Sequence, residues 1–371
     1  MATSIQTKSL SIFAAEQFIE SVSEPSRSNL YISFGKIESW ANDSIPEAAN
    51  DSVQHKTDIW KNMTHAKRVT GNDIRLVIPR IDWTANTVYN MYDHRANNLF
   101  DYPNTKFYVM TTDFNVYKCL DNNGGANSTV MPSYTKPDVT NRTADGYLWK
   151  YMYTVNRVER LRFMTDDWIP VKKIDYQNGS GQWDVQQEAR NGSVLSIIVT
   201  NHGSGYNSSA NLSVTVGGDG SGLTANAIRN TTTNSIDYVA ITNPGDNYFL
   251  HANAEIRDSS GTPGTGANAL VILSPYGGHG SNAHRELGAT GIIINIRVKG
   301  SENDKIIGAN QFRQIALISN PLERETGNIS GNLVISQTIS VSLAGLGGAY
   351  QLDDWVYQGS SLSSFTFKGK V

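Results

Sequence analysis

The sequence is poor in cysteine, in charge and in long apolar runs. Cys119 is the single cysteine of the 371 residues, which excludes a disulfide within one chain and a zinc site built on cysteine ligands. Charged residues make up only 18% of the chain and the net charge is −3, so the clustered positive charge of a nucleic-acid binder is missing. No stretch approaches the roughly 20 apolar residues of a membrane span, and the first residues lack the pattern of a secretory signal.

Extended helical periodicity is also scarce, whereas glycine and asparagine are abundant. The chain has 32 glycines, and both residue types tolerate left-handed backbone and favour turns. Helical bundles need long periodic runs rich in alanine, leucine, glutamate and lysine. We therefore predict a mostly β protein with an antiparallel β-sandwich-like core and a few short helices.

Periodic segments place the first elements. Apolar spacing predicts helices over 11–22 and 52–64, and Asn156 is a predicted N-cap of a short helix that ends at Phe163. Alternation predicts strands over 30–34, 74–78, 106–110, 115–120 and 147–155. The last of these has one aromatic face, which we expect in the core.

An internal duplication occupies the middle of the chain. Thr200–Tyr206 matches Thr242–Tyr248, and Ala225–Ala227 matches Ala267–Ala269, both at an offset of 42 residues. Two copies are too few for a propeller or a solenoid. We predict two small β modules packed on each other and inserted over 191–275. The predicted repeat-turn residues are Gly203, Gly205, Tyr206, Gly245 and Tyr248.

The sequence offers no catalytic constellation. Its Gly-x-Gly elements lie between predicted strands and lack the Lys-Ser/Thr of a phosphate-binding loop. His279, His284 and Glu286 form the one compact ligand-like set, but their spacing matches no helical metal motif, so we expect a structural loop. We predict no enzymatic activity, no cofactor and no metal.

Five short motifs resemble a known family when they are taken together and in order. They are Tyr31–Gly35 followed by Trp40, Asp58–Trp60, Arg75–Trp83, Asp145–Tyr151 and Phe312–Leu322. In this order the chain resembles the gene product eight family of baseplate wedge proteins from T-even-type contractile-tailed bacteriophages. The Gly277–Gly288 loop is similar to a segment that relatives carry ahead of the Phe312 motif. The pattern spans residues 30–322 without the stretch 191–275.

The resemblance implies a structural role. The family is mostly β, has no known enzymatic activity and forms a homodimer within each wedge around the tail hub. It contacts neighbouring wedge proteins and helps to hold the pre-contraction baseplate. The resemblance thus implies a virion tail protein, assembled in the bacterial cytoplasm, without nucleic-acid, membrane or small-molecule partners. The motif residues to which it assigns structural roles are Phe34, Gly35, Trp40, Trp60, Pro79, Arg80, Asp82, Trp83, Gly146, Trp149, Gly278, His279, Phe312, Arg313, Asn320 and Pro321.

These motif residues have chemical types suited to cores and turns. We expect Trp60, Trp83 and Trp149 to anchor the core, and Arg80 and Arg313 to pair with Asp82 or Asp58. The many tyrosines and tryptophans also suit interfaces between proteins. The expected organisation is a wedge core over 1–190 and 276–345, the insert at 191–275 and a small β segment at 346–371. The last strand of that segment either pairs with a neighbouring subunit or leads into further chain.

Two other functions compete with the wedge role. A receptor-binding or adhesin-like tail protein would use His202, Tyr206, Tyr248 and Phe249 to present aromatic rings to sugars. A depolymerase would need two carboxylates that converge in a groove.

Overall fold

The computed structural model describes residues 7–24, 28–137, 141–297, 311–323, 326–336, 349–351 and 354–370. Strand makes up 39% of the chain and helix 14%, which confirms the prediction of a mostly β protein with few short helices. The predicted boundary between residues 345 and 346 lies outside the described residues.

The helices are short and begin at residues whose side chains accept a backbone N–H. They are α1 (Lys8–Ser23), α2 (Val53–Asn62), α3 (Arg157–Phe163), α4 (Gly181–Gln187) and α5 (Ala283–Glu286). Asn156 caps α3 as predicted, and Ser52 caps α2. Helix α2 ends at Asn62, two residues before its predicted end, because a strand begins at Met63. Within the described residues, no helix combines the length and the apolarity needed to cross a membrane.

The strands form several sheets, and every strand pair with a defined register is antiparallel. In chain order they are β1 (Leu30–Gly35), β2 (Met63–Arg68), β3 (Ile74–Pro79), β4 (Tyr108–Met110), β5 (Asn115–Asp121), β6 (Asn141–Arg142), β7 (Leu148–Thr154), β8 (Trp168–Val171), β9 (Val194–Ser204), β10 (Leu212–Gly218), β11 (Ser221–Asn230), β12 (Ser235–Asp246), β13 (Ala252–Asp258), β14 (Thr265–Leu273), β15 (Gly291–Ile294), β16 (Gln314–Ser319), β17 (Val334–Ser336), β18 (Trp355–Ser361) and β19 (Ser364–Lys370).

The chain divides into two compact units, and the larger comprises residues 1–30, 69–297 and 319–329. Its core lies on the sheets β4-β5-β7-β6 and β15-β3-β8. The indole of Trp149 stacks on Tyr147 at a centroid distance of 5.4 Å and meets Tyr89 edge-on at 5.7 Å. The aromatic face of β7 is therefore core, as predicted, because a strand places alternate side chains on one side.

The duplicated segment belongs to this unit and contains the six strands β9 to β14. The repeats do not form separate sheets, because strands of one copy pair with strands of the other. Strand β9 pairs with β14, β11 pairs with β12, and β10 pairs with β13. Each copy therefore depends on the other for its hydrogen bonds, and the two predicted modules fold as one interleaved body.

The register shows that the two copies are related by a local two-fold arrangement. Val214 faces Ile256 across β10 and β13, and these residues are 42 positions apart in sequence. Leu223 of β11 pairs with Pro244 of β12, and Ala267 of β14 pairs with His202 of β9. His202 and Pro244 are equivalent positions of β9 and β12, so Leu223 and Ala267 are also equivalent. The third strands, β11 and β14, are therefore offset by 44 residues. The offset of 42 predicted for these strands is therefore wrong by two residues. The second copy has a longer loop before its third strand.

The smaller unit comprises residues 31–68, 298–318 and 330–371, of which the described residues form two sheets. One sheet has the order β16-β1-β2-β17, and the other is the hairpin β18-β19. Tyr31, Met63 and Ala66 form the buried centre of the four-stranded sheet. The Tyr31 hydroxyl lies 3.1 Å from the carbonyl of Ser330 and 2.5 Å from that of Asn332, which ties β1 to the chain before β17.

Candidate functional site: the family motifs and a buried charged cluster

The motif after β3 closes a turn with a surface ion pair. The Arg80 Nε lies 3.0 Å from both carboxylate oxygens of Asp82, which confirms this predicted pair. Its Nη1 also donates to the Thr165 carbonyl at 3.0 Å. Trp83 is half-buried and its indole N–H donates to Ser128 Oγ at 3.1 Å. Pro79 is the last residue of β3, directly before this turn. The motif therefore fixes the path of the chain out of β3.

The motif before β7 is organised by one carboxylate. Asp145 accepts backbone N–H groups of Thr129 at 2.7 Å, Val130 at 2.9 Å and Tyr147 at 3.3 Å. Burial alone would raise the pKa of Asp145, but these hydrogen bonds and one from Thr143 outweigh it and lower the pKa. Gly146 follows at a φ of 86°, a left-handed conformation that favours glycine. The motif thus delivers Trp149 into the core.

The first and last motifs meet in the smaller unit. The rings of Phe34 and Phe312 lie 6.0 Å apart, and the Arg313 N–H donates to the Gly35 carbonyl at 3.1 Å. A Cβ on Gly35 would lie 2.3 Å from the Asn62 carbonyl oxygen, so the strand tolerates no side chain there. The Arg313 guanidinium donates to Asp43 at 2.9 Å.

Several predicted roles in these motifs are corrected by the structure. Arg313 pairs with Asp43, and the expected pairing with Asp58 or Asp82 is wrong, because its backbone bond to β1 brings the guanidinium to the loop after that strand. Trp60 is 44% exposed on α2, a helix that buries none of its side chains, so it is not the expected core anchor. Trp40 is half-buried and its ring lies under the Lys36 ammonium at 4.4 Å.

The Asn320-Pro321 turn has the conformation expected of a strand end. Asn320 adopts a φ of 51°, and its side-chain oxygen accepts the Asn29 N–H at 2.7 Å. Its own N–H donates to the Asn29 carbonyl at 2.8 Å, and Pro321 is buried. Two hydrogen bonds therefore join Asn320, directly after β16, to Asn29, directly before β1.

A fully buried charged cluster lies where the Gly277–Gly288 loop meets the larger unit's core. His279 Nδ1 lies 2.9 Å from Glu286 Oε1, and His279 Nε2 lies 2.9 Å from the Tyr151 carbonyl. The Lys118 ammonium also contacts Glu286, and it lies 4.1 Å from the centre of the Tyr92 ring. The other Glu286 oxygen accepts the Gly280 N–H at 2.6 Å. Lys118 and His279 thus both pair with the buried Glu286.

The electrostatics of the cluster follow from burial and pairing. Burial alone would raise the pKa of Glu286, but the Lys118 charge and His279 outweigh it and hold the pKa at about 2. Burial lowers the pKa of His279 against the opposing pull of Glu286. Because a buried charge that loses its partner is costly, the cluster specifies one position of the loop on β5 and β7.

The sequence missed Lys118 as a member of this cluster. The one sign in the sequence is that this lysine lies between Tyr117 and Cys119, in a strand whose adjacent residues are apolar and buried. A charge in such a strand needs a buried counter-ion, but the sequence cannot say that Glu286, 168 residues away, supplies it.

Glycines let this loop approach the core closely. Gly278 has a φ of 93°, and a Cβ there would lie 2.5 Å from the Arg190 backbone. Outside the cluster, Arg285 donates to Glu16 on α1 at 2.8 Å, and His284 faces the same carboxylate. The ligand-like histidines therefore contact different carboxylates. No group of three or more histidine, cysteine, aspartate or glutamate residues in the described part of the chain could hold a metal ion.

The two tyrosines of the repeat turns pack inward. Tyr206 and Tyr248 are buried, and their rings lie against Gly264 and Gly220 of the opposite repeat. These tyrosines therefore cannot present their rings to a sugar, and that part of the adhesin interpretation is wrong. Three turn glycines take left-handed conformations, as the repeat requires: Gly203, Gly205 and Gly245.

The comparisons with known proteins find similarity to Gp8 proteins of phage T4. A family model described as Bacteriophage T4 Gp8 matches residues 4–134, which contain α1 through β5. Over these residues, the chain is similar to the Gp8 family. Baseplate wedge protein gp8 of Enterobacteria phage T4 is 24% identical over 181 aligned residues. The alignment covers 40% of this chain and 54% of the relative, so the chain spans about half the length of the gp8 protein it matches.

Proposed function

We propose that this protein is a structural component of a baseplate wedge in a contractile phage tail. The observation that carries the proposal is the Gp8 family match over residues 4–134, together with a relative named as a baseplate wedge protein. The proposed location is the virion tail, after assembly in the bacterial cytoplasm. In the finer proposal the chain forms a homodimer, links neighbouring wedge proteins and stabilises the pre-contraction baseplate.

The chemistry of the family motifs supports an architectural role. Arg80 and Asp82 close a turn, Asp145 gathers backbone N–H groups, and Phe34 packs on Phe312. Each contact fixes the chain path. The proposal therefore includes no enzymatic activity and no cofactor. Its partners are proteins: a second copy of the chain and other wedge components, with no nucleic acid, membrane or small-molecule substrate.

Exposed aromatic side chains supply contacts for such partners. Many of the tyrosines and tryptophans are buried in the core, so the exposed ones are the candidates for contacts with partner proteins. The most exposed aromatic side chains of the described residues are Tyr276 at 89% and Tyr176 at 72%, and the most exposed tryptophans are Trp355 and Trp60. Rigid aromatic rings contribute large contact areas at small entropic cost.

The proposed domain organisation treats residues 191–275 as an insert in the wedge core, outside the family motifs.

The wedge role and the dimer can be tested separately with the full chain. Gold labelling of a tagged chain in isolated tails is expected to place the label at the baseplate, and label elsewhere in the virion would refute the wedge role. Analytical ultracentrifugation of the purified chain is expected to show a dimer at micromolar concentration. A persistent monomer would remove the dimer from the proposal while leaving the labelling result intact.

A further inference from the structure

Strand β16 forms one edge of the four-stranded sheet in the smaller unit. In the sheet order β16-β1-β2-β17 it lies beside β1, and in the described part of the chain no strand pairs with its other edge. Its inner edge is held on β1 by side-chain contacts as well, because Ser33 Oγ donates to the Ala316 carbonyl at 3.2 Å. The outer edge therefore presents a row of backbone N–H and carbonyl groups in a fixed, extended conformation.

The side chains of β16 alternate between half-buried and exposed positions, and its central exposed positions are apolar. Ile315 is 62% exposed and Leu317 is 52% exposed. Strand β10 begins with the same alternation, but there the exposed side chains are Ser213 and Thr215. Strands that keep one face in water carry polar residues on that face. Ile315 and Leu317 therefore have the composition of a surface that another chain covers.

Strand β16 also lacks the features that prevent exposed strand edges from pairing. Soluble proteins protect such edges with charged residues, with proline or by keeping the strand very short. The six residues of Gln314–Ser319 include no charged residue and no proline. At the opposite edge of the same sheet, β17 has only three residues. The sheet is thus protected at the β17 edge and open to pairing at the β16 edge.

An antiparallel copy of β16 is complementary to the strand itself. With a two-fold axis at Ala316, Ile315 of one copy lies opposite Leu317 of the other, and symmetry repeats this pair on the other side of the axis. Both pairs are apolar, and the strand has no charge that would meet a like charge across the axis. Antiparallel pairing also supplies partners for the outer backbone groups of both strands. A second copy therefore matches this edge in side chains and in backbone.

We propose that two copies of this chain associate through β16, which pairs antiparallel with β16 of the second copy. The two four-stranded sheets then become one continuous sheet. The inference rests on the homodimer of the proposed function and names its contact surface. Backbone hydrogen bonds fix the orientation of the two copies, and the pairs between Ile315 and Leu317 remove apolar surface from water.

The test uses the purified full chain and compares two leucines of nearly equal exposure. Leu317 lies on β16, whereas Leu333, 53% exposed, directly precedes β17 at the opposite edge of the sheet. Analytical ultracentrifugation measures the dissociation constant of the dimer for the unaltered chain, for Leu317→Lys and for the matched control Leu333→Lys. Hydrogen exchange of the unaltered chain, below and above that constant, measures protection of the 314–319 amides without requiring any variant to fold.

We expect a dimer of the unaltered chain and slower exchange at residues 314–319 as it forms. Leu317→Lys should weaken the dimer at least about tenfold, because it places two like charges beside the axis, and Leu333→Lys should change it less than about twofold. A dimer that both variants weaken equally, that Leu317→Lys leaves intact, or that forms without slower exchange at 314–319 overturns this interface alone. A monomer at every concentration overturns the interface together with the dimer, while gold labelling still tests the wedge role.

Discussion

The ring of Tyr206 lies directly against Gly264, and the ring of Tyr248 lies in the same way against Gly220. A Cβ added to Gly264 would come within 2.4 Å of its tyrosine ring, and one added to Gly220 within 2.5 Å. Each contact joins the turn of one repeat to the loop just before the third strand of the other. The interleaving of the repeats therefore depends on two positions that accept no side chain.

Alanine at these glycines should destabilise the protein. For Gly264→Ala and Gly220→Ala we expect losses of about 1–3 kcal/mol in the free energy of unfolding, because the tyrosine rings must move. Urea denaturation followed by tryptophan fluorescence measures the change. Gly261→Ala is the matched control, since a Cβ there meets nothing within 4 Å. Equal stability of Gly264→Ala and Gly261→Ala would contradict the close packing.

The buried ion cluster should show strong coupling between Lys118 and Glu286. Replacing either partner alone, as in Lys118→Met or Glu286→Gln, should cost about 3–5 kcal/mol, because a charge stays buried without its partner. The double variant should lose clearly less than the sum of the two. Additive losses in a double-mutant cycle would show that the groups do not interact. Arg257→Met, which removes the fully exposed pair with Glu255, should leave the unfolding midpoint nearly unchanged.

Acid should destabilise the protein through its low-pKa carboxylates. Glu286 and Glu16 each have a pKa of about 2 in the folded protein, against 4.5 for an ordinary glutamate. The unfolded chain then binds more protons, so stability falls as the pH drops from about 4.5 towards about 2. The pKa of His279 is lowered in the folded protein, so the unfolded chain also takes up this proton more readily, and stability falls further as the pH drops below 6.5.

Calorimetry between neutral and acid pH measures this dependence. The Glu286→Gln variant starts from lower stability and should lose less of it on acidification, since the titrating group is gone. A curve parallel to that of the unaltered protein would argue against the cluster as a source of acid sensitivity.

The Asp145 carboxylate should hold the turn before β7. In Asp145→Ala the N–H groups of Thr129 and Val130 lose their acceptor, so we expect a loss of about 2 kcal/mol and faster hydrogen exchange at both amides. Asp113→Ala, in the exposed turn between β4 and β5, is the control. Unchanged exchange at residues 129 and 130 in Asp145→Ala would mean that the carboxylate does not organise this turn.

The sequence by itself determined the elements whose causes are local. Alternation along residues 147–155 identified β7 and its aromatic core face, and Asn156 marked the start of α3 because a cap bonds only to the next turn. The repeated Gly-Tyr motifs revealed the duplication, since repeats are visible without a structure. The order of five short motifs indicated the resemblance to the Gp8 family.

Only the tertiary structure decided which distant residues meet. Strand pairing between the repeats, the Arg313–Asp43 contact and the Lys118–Glu286 pair each join segments whose separation in sequence carries no local signal. Trp60 is exposed although its size favours burial, because burial depends on what packs against a helix and not on the helix alone. Local propensity thus fixed the elements, and long-range packing and charge pairing fixed their partners.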